Sequence, residues 1–390
     1  MPGSKSEANR ALLLAALSDG PSMASGVPFA RDSNLMVDAL ISFGALVERR
    51  FDGTLRVTPP ERITSHEDIN CGLAGTVMRF TPPVAMLAST PTSFYGDARA
   101  SERPMAPLCD ALRQLGAEVS DNSLPFTLRP PTNWSRAVVI DASASSQFIS
   151  GLLLAAHRFP DGLDLTHRGS ELPSRPHIDM TIAMLAARGV AVGEPEPDHW
   201  LVSPTALRAV DTDVEPDLTN AAAFVLAGVI TGGVVEVPHW PKHTTQAGAQ
   251  ILDIIDAFHA CGALAACDLD LSSASELTPV VAALAALAPG VSRLSGIGHI
   301  RGHETDRLQA IAHNLGAVGV EAGVEPDALV ISGGGPRHGG VIDARGDHRL
   351  VHMGALLGLV TPGVIIEDAA AVAKTMPDFL TRWDKMAGAR

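Results

Sequence analysis

The sequence predicts an α/β protein of two domains, each assembled from small repeated α/β units. The chain has 390 residues, 46% of them hydrophobic, and it exceeds the length at which a single core usually stops growing. One pattern also recurs six times: an amphipathic helix ends in Gly and a small residue, usually before a short apolar or β-branched run. The repeat is longer than the about 20–50 residues of solenoid repeats, which indicates small α/β subdomains.

The glycines that close these predicted helices follow a near-constant period. Neighbouring closing glycines lie 72 or 73 residues apart, except for one interval of 54 residues. Glycine that merely happened to follow helices would be irregularly spaced, so we predict six units, three in each domain. The closing positions are Gly44, Gly116, Gly189, Gly262, Gly316 and Gly388.

The first predicted element is the helix of "MPGSKSEANRALLLAAL", residues 1–17. Ser4 and Glu7 fit the S-x-x-E capping box, and Ser6 and Arg10 then share one helix face. Free backbone N–H groups beside Lys5 make this helix start a candidate anion site, with an ordinary capped surface helix as the alternative. The apolar run is short for a signal peptide and follows an acidic residue. A Walker A loop is not predicted either, because that motif needs a further upstream glycine and a preceding strand.

Further polar clusters in the first half each precede an apolar helix. The stretches are "GLAGTVMR", "ASERPM", "SASSQF" and "ELPSRPHIDM". Each is weak evidence alone, because Ser and Thr at helix starts are usually caps, while Gly allows close approach of a ligand to the backbone. The candidate residues are Gly72, Gly75, Thr76, Arg79, Arg103, Ser145, Ser146, Gln147, Ser174 and His177.

The long apolar stretch over 221–237 contains three glycines. We predict a buried helix, a turn and a strand there, because a membrane span needs about 20 predominantly apolar residues.

The second half carries charged clusters in "SSASELTPVV", "GHETDR", "GDHR" and "AKTMPDF". Arg and Lys from separate helix starts suit phosphates and carboxylates, and carboxylates and His suit proton transfer. A Ser/His/Asp hydrolase and a metal enzyme remain minor alternatives, although no G-x-S-x-G or HExxH spacing supports them. The candidate residues are Glu276, His303, Glu304, Asp306, Arg307, Asp347, His348, Arg349 and Lys374.

Composition excludes some functions. A net charge of −14 argues against a protein that coats nucleic acid, since such binding depends on Lys and Arg. The cysteines show neither a CxxC pair nor zinc spacing, so we predict reduced, buried thiols in a cytosolic protein. They are Cys71, Cys109, Cys261 and Cys267.

Taken in order, these motifs resemble the 5-enolpyruvylshikimate-3-phosphate synthase family from Pro2 to about Phe379. The matching stretches are "PGSKS..NRALLLAAL", "AGT.MR", "RPM..L.DALRQLGA", "SSQFIS.LLLAA", "RP.IDMTI.ML", "ETDRL.A....LGA", "DHR" and "KT.PDF". The resemblance implies two domains of three βαβαββ units each, with the active site in the interdomain cleft. It implies residues 4–214 as the first domain and 1–3 plus 215–390 as the second, whose first strand is missing before Pro2.

The resemblance also implies a reaction: phosphoenolpyruvate transfers its enolpyruvyl group to the 5-hydroxyl of shikimate 3-phosphate and releases phosphate. No metal or organic cofactor is implied. Glu276, Glu304 and Lys5 would be catalytic. The implied shikimate 3-phosphate ligands are Lys5, Ser6, Arg10, Ser145, Ser146, Gln147, Ser174, Glu276 and His303. The implied phosphoenolpyruvate ligands are Lys5, Gly75, Arg103, Gln147, Arg307, Arg349 and Lys374.

His303 stands where many members of that family have Lys, so a permanent charge is replaced by one that depends on pH. Two other functions stay open: an enolpyruvyl transferase acting on UDP-N-acetylglucosamine, and a non-catalytic relative that uses the fold for binding. We further expect small-molecule substrates, no nucleic-acid or membrane partner, a monomer and a cytoplasmic location.

Overall fold

The structure is a computed structural model that describes residues 1–259 and 262–388. The chain divides into two compact units, an N-terminal unit of Pro2–Glu215 and a C-terminal unit of Met1 with Pro216–Arg390. The fold is mixed α/β, as predicted. Each unit has its own hydrophobic core.

The N-terminal unit contains three four-stranded sheets with the same topology. In each, two strands pair in parallel, and a hairpin then adds to the second of them. The sheet orders are β12-β1-β3-β2, β4-β5-β7-β6 and β10-β11-β9-β8. The strands are β1 (Ser22–Ser25), β2 (Leu46–Arg49), β3 (Leu55–Thr58), β4 (Ile69–Asn70), β5 (Thr92–Tyr95), β6 (Glu118–Val119), β7 (Phe126–Arg129), β8 (Ala137–Ile140), β9 (Leu163–His167), β10 (Val192–Glu196), β11 (His199–Val202) and β12 (Thr212–Asp213).

Two helices accompany each of these sheets. They are α1 (Lys5–Leu17), α2 (Arg31–Ser42), α3 (Gly75–Ala85), α4 (Ala106–Gln114), α5 (Gln147–Ala156) and α6 (Arg175–Ala187). The second and third sheets are continuous βαβαββ units. The first borrows β12 from the far end of the unit, where Ala24 pairs with Thr212.

The C-terminal unit contains one further sheet of this topology, in the order β13-β14-β16-β15, and one parallel pair, β17-β18. Its strands are β13 (Asp268–Asp270), β14 (Gly290–Ser295), β15 (Glu321–Val324), β16 (Ala328–Gly333), β17 (Val341–Asp343) and β18 (Ile365–Glu367). Its helices are α7 (Leu218–Thr231), α8 (Ile251–Phe258), α9 (Thr278–Leu287), α10 (Arg307–Ala317), α11 (His348–Val360) and α12 (Phe379–Gly388).

The first helix of each repeat is apolar around most of its circumference and is buried, as expected for a helix without a solvent face. In the N-terminal unit these central helices are α1, α3 and α5, and in the C-terminal unit they are α7, α9 and α11. Because α1 is buried from Ala8 to Leu17, the surface-helix alternative for the opening sequence is wrong.

The glycine pattern is confirmed at four positions and wrong at two. Gly44, Gly116, Gly189 and Gly262 have φ between 80° and 104°, the left-handed turn that stops a helix. Gly316 instead lies inside α10, and Gly319, at φ 79°, supplies that turn. The short interval in the period arose partly from this misassignment. Gly388 lies within α12.

The strand predicted at the end of 221–237 is also wrong. Gly232 ends α7 with φ 67°, but no described strand pairs with the run Val234–Val237, and Val234 is 98% exposed. A strand needs a neighbour for its backbone groups. The β-branched composition of this run is therefore insufficient alone.

Cys71 and Cys109 are free and buried, as predicted, whereas Cys267 is free but half-buried. Burial raises the pKa of the Cys71 and Cys109 thiols to about 12. Cys261 lies outside the described residues. In the described part of the chain, no helix combines the length and hydrophobicity required to cross a membrane.

The two glycines near the end of α10 provide a matched test of its boundary. A residue with a side chain at position 319 would have to adopt the left-handed backbone conformation, and its Cβ would lie 3.0 Å from Arg337 Cβ. A Cβ at Gly316 meets nothing within 4 Å. We expect Gly319→Ala to lower the free energy of unfolding by roughly 1–2 kcal/mol. Gly316→Ala should raise it by about 0.5–1 kcal/mol. Urea denaturation measures both, and effects of the same sign would contradict the assignment.

Candidate functional site

In the N-terminal unit, the first turns of the central helices contact one another. Asn9 of α1 donates its side-chain amide to Thr76 Oγ1 of α3 over 2.6 Å. The first residues of α3 and α5, Gly75 and Gln147, also lie side by side. Free backbone N–H groups and the positive ends of the helix dipoles are therefore gathered in one region, which favours anions.

Gly75 leaves space for the side chains around it. A Cβ there would lie 2.9 Å from Gln147 Oε1, 3.2 Å from Arg103 Nη2 and 3.3 Å from Arg79 Nη1. Arg103 is held by Nη1, which donates to the Leu73 carbonyl over 3.0 Å. The structure thus brings together three predicted residues, Gly75, Arg103 and Gln147, around one glycine.

Lys5 forms a salt bridge with a buried acid from the first turn of α2. Its Nζ lies 3.1 Å from Asp32 Oδ2, and Asp32 has a side-chain exposure of 1%. This pairing restricts the ammonium group at the start of α1. Asp32 is a site residue that the sequence analysis missed, because nothing near it in the sequence indicates a partner 27 residues away.

The capping box predicted for α1 is only half formed. Ser4 Oγ accepts from the Glu7 backbone N–H over 3.4 Å, as predicted. The Glu7 carboxylate accepts from the Glu215 N–H instead of the Ser4 N–H, and the Ser4 N–H donates to the Glu215 carbonyl.

Arg10 is almost completely buried, with 1% exposure. It donates to Thr181 Oγ1, Ser150 Oγ and the backbone carbonyls of Ser6 and His177, over 2.7–3.1 Å. Burial lowers its pKa to about 9. In this arrangement Arg10 fastens α1 to α5 and α6, and a substrate-binding role remains a prediction.

Three of the four predicted serines, Ser145, Ser146 and Ser174, lie at the starts of α5 and α6, and Ser6 lies in the first turn of α1. Ser145 Oγ accepts from the Gln147 N–H over 3.3 Å, and Ser146 is the N-cap of α5. Ser174 is the N-cap of α6 and has left-handed backbone angles, φ 53° and ψ 44°. A non-glycine residue in that conformation is strained, and such strain is concentrated at functional sites.

In the C-terminal unit, the predicted charged residues surround Arg307, the first residue of α10. Arg307 is fully buried, and an arginine has five N–H donors. Nε donates to Asp347 over 2.7 Å, Nη1 donates to Glu276 over 2.8 Å and to His303 Nδ1 over 2.9 Å, and Nη2 donates to Glu304 over 2.8 Å and to Asp347 over 3.3 Å. Every donor of Arg307 is therefore used.

Two further cations complete this cluster. Lys374 Nζ contacts Glu304 Oε1, and Arg349 Nη1 donates to Asn220 Oδ1 of α7 over 2.8 Å. Arg349 Nε lies 3.8 Å from Glu276 Oε2. Asn220, Glu276 and Arg349 lie at or near the starts of α7, α9 and α11, so the central helices of this unit also meet at their N-terminal ends.

The cluster sets the charge of Glu276 and the tautomer of His303. Burial is the largest single influence on Glu276 and opposes its ionisation, but the neighbouring positive charges, that of Arg307 first among them, together outweigh burial and hold the pKa of Glu276 well below its usual value. Arg307 has only N–H donors, so His303 Nδ1 must be the acceptor of their hydrogen bond. The His303 proton then resides on Nε2.

The family model described as EPSP synthase (3-phosphoshikimate 1-carboxyvinyltransferase) matches residues 1–383. A curated protein named 3-phosphoshikimate 1-carboxyvinyltransferase, from Mycobacterium ulcerans (strain Agy99), is 46% identical over 409 aligned residues, covering 99% of this chain and 94% of the relative. The chain belongs to the EPSP synthase family.

Solved structures agree with the fold of the EPSP synthase family. An EPSP synthase from Acinetobacter baumannii matches with a TM-score of 0.78 at 22% identity, over 99% of this chain and 94% of that one. The enolpyruvyl transferase NikO from Streptomyces tendae matches with a TM-score of 0.75 at 17% identity, over 98% and 93%. At these identities the likeness is to the fold alone.

Within each unit, the structure gathers the residues that the family resemblance implies. Asp347 and Asn220 were not among them, although Asp347 is the N-cap of α11 and accepts from the Arg349 N–H over 2.9 Å. Asp347 was already a candidate from "GDHR", where it directly precedes a predicted helix, whereas Asn220 was missed. Among residues 1–259 and 262–388, no group of three or more His, Cys, Asp or Glu side chains is arranged to hold a metal ion.

Asp347 provides a stability test of the Arg307 cluster. Asp347→Ala would leave the buried Arg307 without its Nε partner, so we expect the free energy of unfolding to fall by about 3 kcal/mol. Glu325→Ala is the control, because its ion pair with Arg293 is about 45% exposed on both sides and should contribute less than about 0.5 kcal/mol. Urea denaturation followed by tryptophan fluorescence compares them. Similar losses would show that Asp347 is not the main partner of Arg307.

Proposed function

We propose that this chain transfers the enolpyruvyl group of phosphoenolpyruvate to the 5-hydroxyl of shikimate 3-phosphate. The products are 5-enolpyruvylshikimate 3-phosphate and inorganic phosphate, in the shikimate pathway of aromatic amino-acid biosynthesis. The observation that carries this proposal is the match to the EPSP synthase family over residues 1–383. That range contains both clusters of helix starts described above.

In this proposal, the N-terminal unit binds shikimate 3-phosphate at the starts of α1, α5 and α6. Arg103 and the space left by Gly75 serve phosphoenolpyruvate, since Arg103 Nη2 and Gln147 Oε1 both lie close to Gly75. Phosphate and carboxylate groups suit guanidinium, hydroxyl and helix N–H donors. The shikimate 3-phosphate ligands in this unit are Lys5, Ser6, Arg10, Ser145, Ser146, Gln147 and Ser174.

The C-terminal unit supplies the carboxyl groups for proton transfer, and Lys5 belongs to the N-terminal unit. Glu276 takes the proton of the 5-hydroxyl as its oxygen bonds to C2 of phosphoenolpyruvate, and C3 gains a proton from the Lys5 ammonium group or from Glu304 in its protonated form. In the tetrahedral adduct, C3 then returns a proton to that same group as the bond between C2 and the phosphate oxygen breaks, which forms the enol double bond and releases inorganic phosphate. Arg307, Arg349 and Lys374 stabilise the negative charge on that phosphate, and His303 donates to shikimate 3-phosphate.

The geometry of Arg307 gives this mechanism a specific requirement. All of its N–H donors are used, so an anionic substrate reaches Arg307 only by displacing an acceptor. Glu276 is the most exposed of these partners, at 31%, against 17% for His303 and 7% for Glu304. Moving Glu276 away from Arg307 would raise the pKa of Glu276, because the Arg307 charge is the largest of the charges that lower it. Substrate binding would thus turn Glu276 into a stronger base.

The reaction requires only small-molecule partners. We further propose that the enzyme acts in the cytoplasm. We also propose that it is a monomer, since each unit buries its own apolar core within a single chain.

A phosphate-release assay on the purified chain tests the function. We expect phosphate from shikimate 3-phosphate plus phosphoenolpyruvate, and none above background when UDP-N-acetylglucosamine replaces the shikimate ester. Phosphate only with the UDP-sugar would establish the other enolpyruvyl transfer. A folded sample that is inactive with both acceptors would indicate a non-catalytic relative.

Glu276→Gln tests the base. Glutamine keeps an oxygen that accepts from Arg307 Nη1 but cannot take the hydroxyl proton, so we expect kcat to fall by about 10²–10⁴-fold. Circular dichroism and urea denaturation should match the wild type. The matched control is Glu325→Gln, an exposed carboxylate of the same unit. A kcat within tenfold of the wild-type value would remove Glu276 from the role of base.

A further inference from the structure

Glu7 joins the start of α1 to the segment at which the chain leaves the N-terminal unit. Its Oε2 accepts from the Glu215 backbone N–H over 3.0 Å. The Glu215 carbonyl accepts from the Ser4 N–H over 2.7 Å, and Ser4 Oγ accepts from the Glu7 N–H. These three contacts close a ring between residues 4–7 and Glu215. Lys5 and Ser6 lie between Ser4 and Glu7 in the chain, so the same contacts hold them in place.

Charged groups surround Glu7 on several elements. Two carboxylates repel the Glu7 carboxylate: Asp213, the last residue of β12, and Glu215, in the segment after β12. Attraction comes from Arg10 on its own helix and from Arg188 at the end of α6. Lys5, two residues before it, is paired with Asp32.

Burial, reinforced by the Glu215 charge, raises the pKa of Glu7 to about 7. The carboxyl group therefore changes charge within the physiological range. A proton on Glu7 removes the repulsion by Glu215 and Asp213, and the carboxyl oxygen still accepts from the Glu215 N–H.

We infer that Glu7 is a positioning residue for the first turn of α1, and that its charge sets how strongly this turn binds an anionic substrate. The inference rests on the proposed function, because Lys5 and Ser6 are proposed there to bind shikimate 3-phosphate. Protonated Glu7 holds the turn in place without opposing the substrate phosphate. Ionised Glu7 adds a negative charge to the same turn and weakens binding.

The linkage to stability has a definite sign. The folded-state pKa of Glu7 is raised from its ordinary value of 4.5 to about 7, so between these two pH values the folded state binds a proton that the unfolded state does not. Stability contributed by this proton is present below pH 4.5 and is lost as the pH rises through about 7. Glu7→Gln, which keeps an acceptor oxygen without a charge, should remove this loss.

The test compares wild type, Glu7→Gln and Glu7→Ala between pH 6 and pH 8.5. Calorimetry gives the Kd for shikimate 3-phosphate, and steady-state kinetics give its KM and kcat. The phosphate group of the ligand also titrates, with a second pKa near about 6, so each variant is compared with wild type at the same pH. Glu118→Gln is the matched control, because it removes a carboxylate of the same unit that is 82% exposed.

We expect wild type and Glu7→Gln to have the same Kd for shikimate 3-phosphate at pH 6. At pH 8.5 the Kd of wild type should be at least about threefold higher than that of Glu7→Gln, with little change in kcat. Glu7→Ala should bind more weakly than Glu7→Gln at every pH, because it lacks the contact with Glu215. The Glu118→Gln variant should follow wild type throughout.

A Glu7→Gln profile parallel to wild type would overturn the inference, as would equal binding by the Ala and Gln variants. Absence of shikimate 3-phosphate binding by the wild type would overturn it as well. Normal binding with the expected pH dependence but without phosphate release would leave the inference intact and refute the proposed function alone.

Discussion

The site depends on the burial of one helix from each repeat. These central helices are apolar around most of their surface and therefore pack into the two cores. They are α1, α3 and α5 in the N-terminal unit and α7, α9 and α11 in the C-terminal unit. Their first turns cannot be apolar, since the first four backbone N–H groups of a helix have no partner within it. Contacts such as Asn9–Thr76 and Asn220–Arg349 show that these turns meet inside each unit. Polar helix starts are thus collected by the packing of apolar helix bodies.

This constraint explains which features could be read from the sequence. The apolar bodies and the polar starts, such as Lys5–Ser6 and "GDHR", are local patterns, and the positive-φ glycines at Gly44, Gly116 and Gly189 close helices as predicted. Partners supplied by distant elements leave no local signal, so Asp32 beside Lys5 and Asn220 beside Arg349 were missed. Strand formation is non-local in the same way, because the run Val234–Val237 has β-branched residues but no neighbouring strand. Family membership was predictable because it depends on the order of motifs along the chain.

The cations of the two clusters are balanced by different kinds of partner. In the N-terminal unit, the cations are held by neutral acceptors or single acids: Arg10 by hydroxyls and carbonyls, and Lys5 by Asp32. In the C-terminal unit, carboxylates surround a buried guanidinium, which would otherwise be costly to desolvate. In the proposed mechanism, two of these carboxylates, Glu276 and Glu304, also serve as proton-transfer groups. In that mechanism, Glu276 becomes a stronger base when a substrate anion displaces it from Arg307. Its activity as a base therefore depends on substrate binding.

His303 completes this balance. Because Arg307 donates to His303 Nδ1, the imidazole is neutral and carries its proton on Nε2. The Lys found at this position in many family members would carry a permanent charge instead. With His303 neutral, the cations Arg307, Arg349 and Lys374 face the acids Glu276, Glu304 and Asp347 in equal number. Protonating His303 would require the Arg307 contact to break, since both nitrogens of an imidazolium are donors. The neutral histidine therefore keeps its hydrogen bond with Arg307 Nη1 intact.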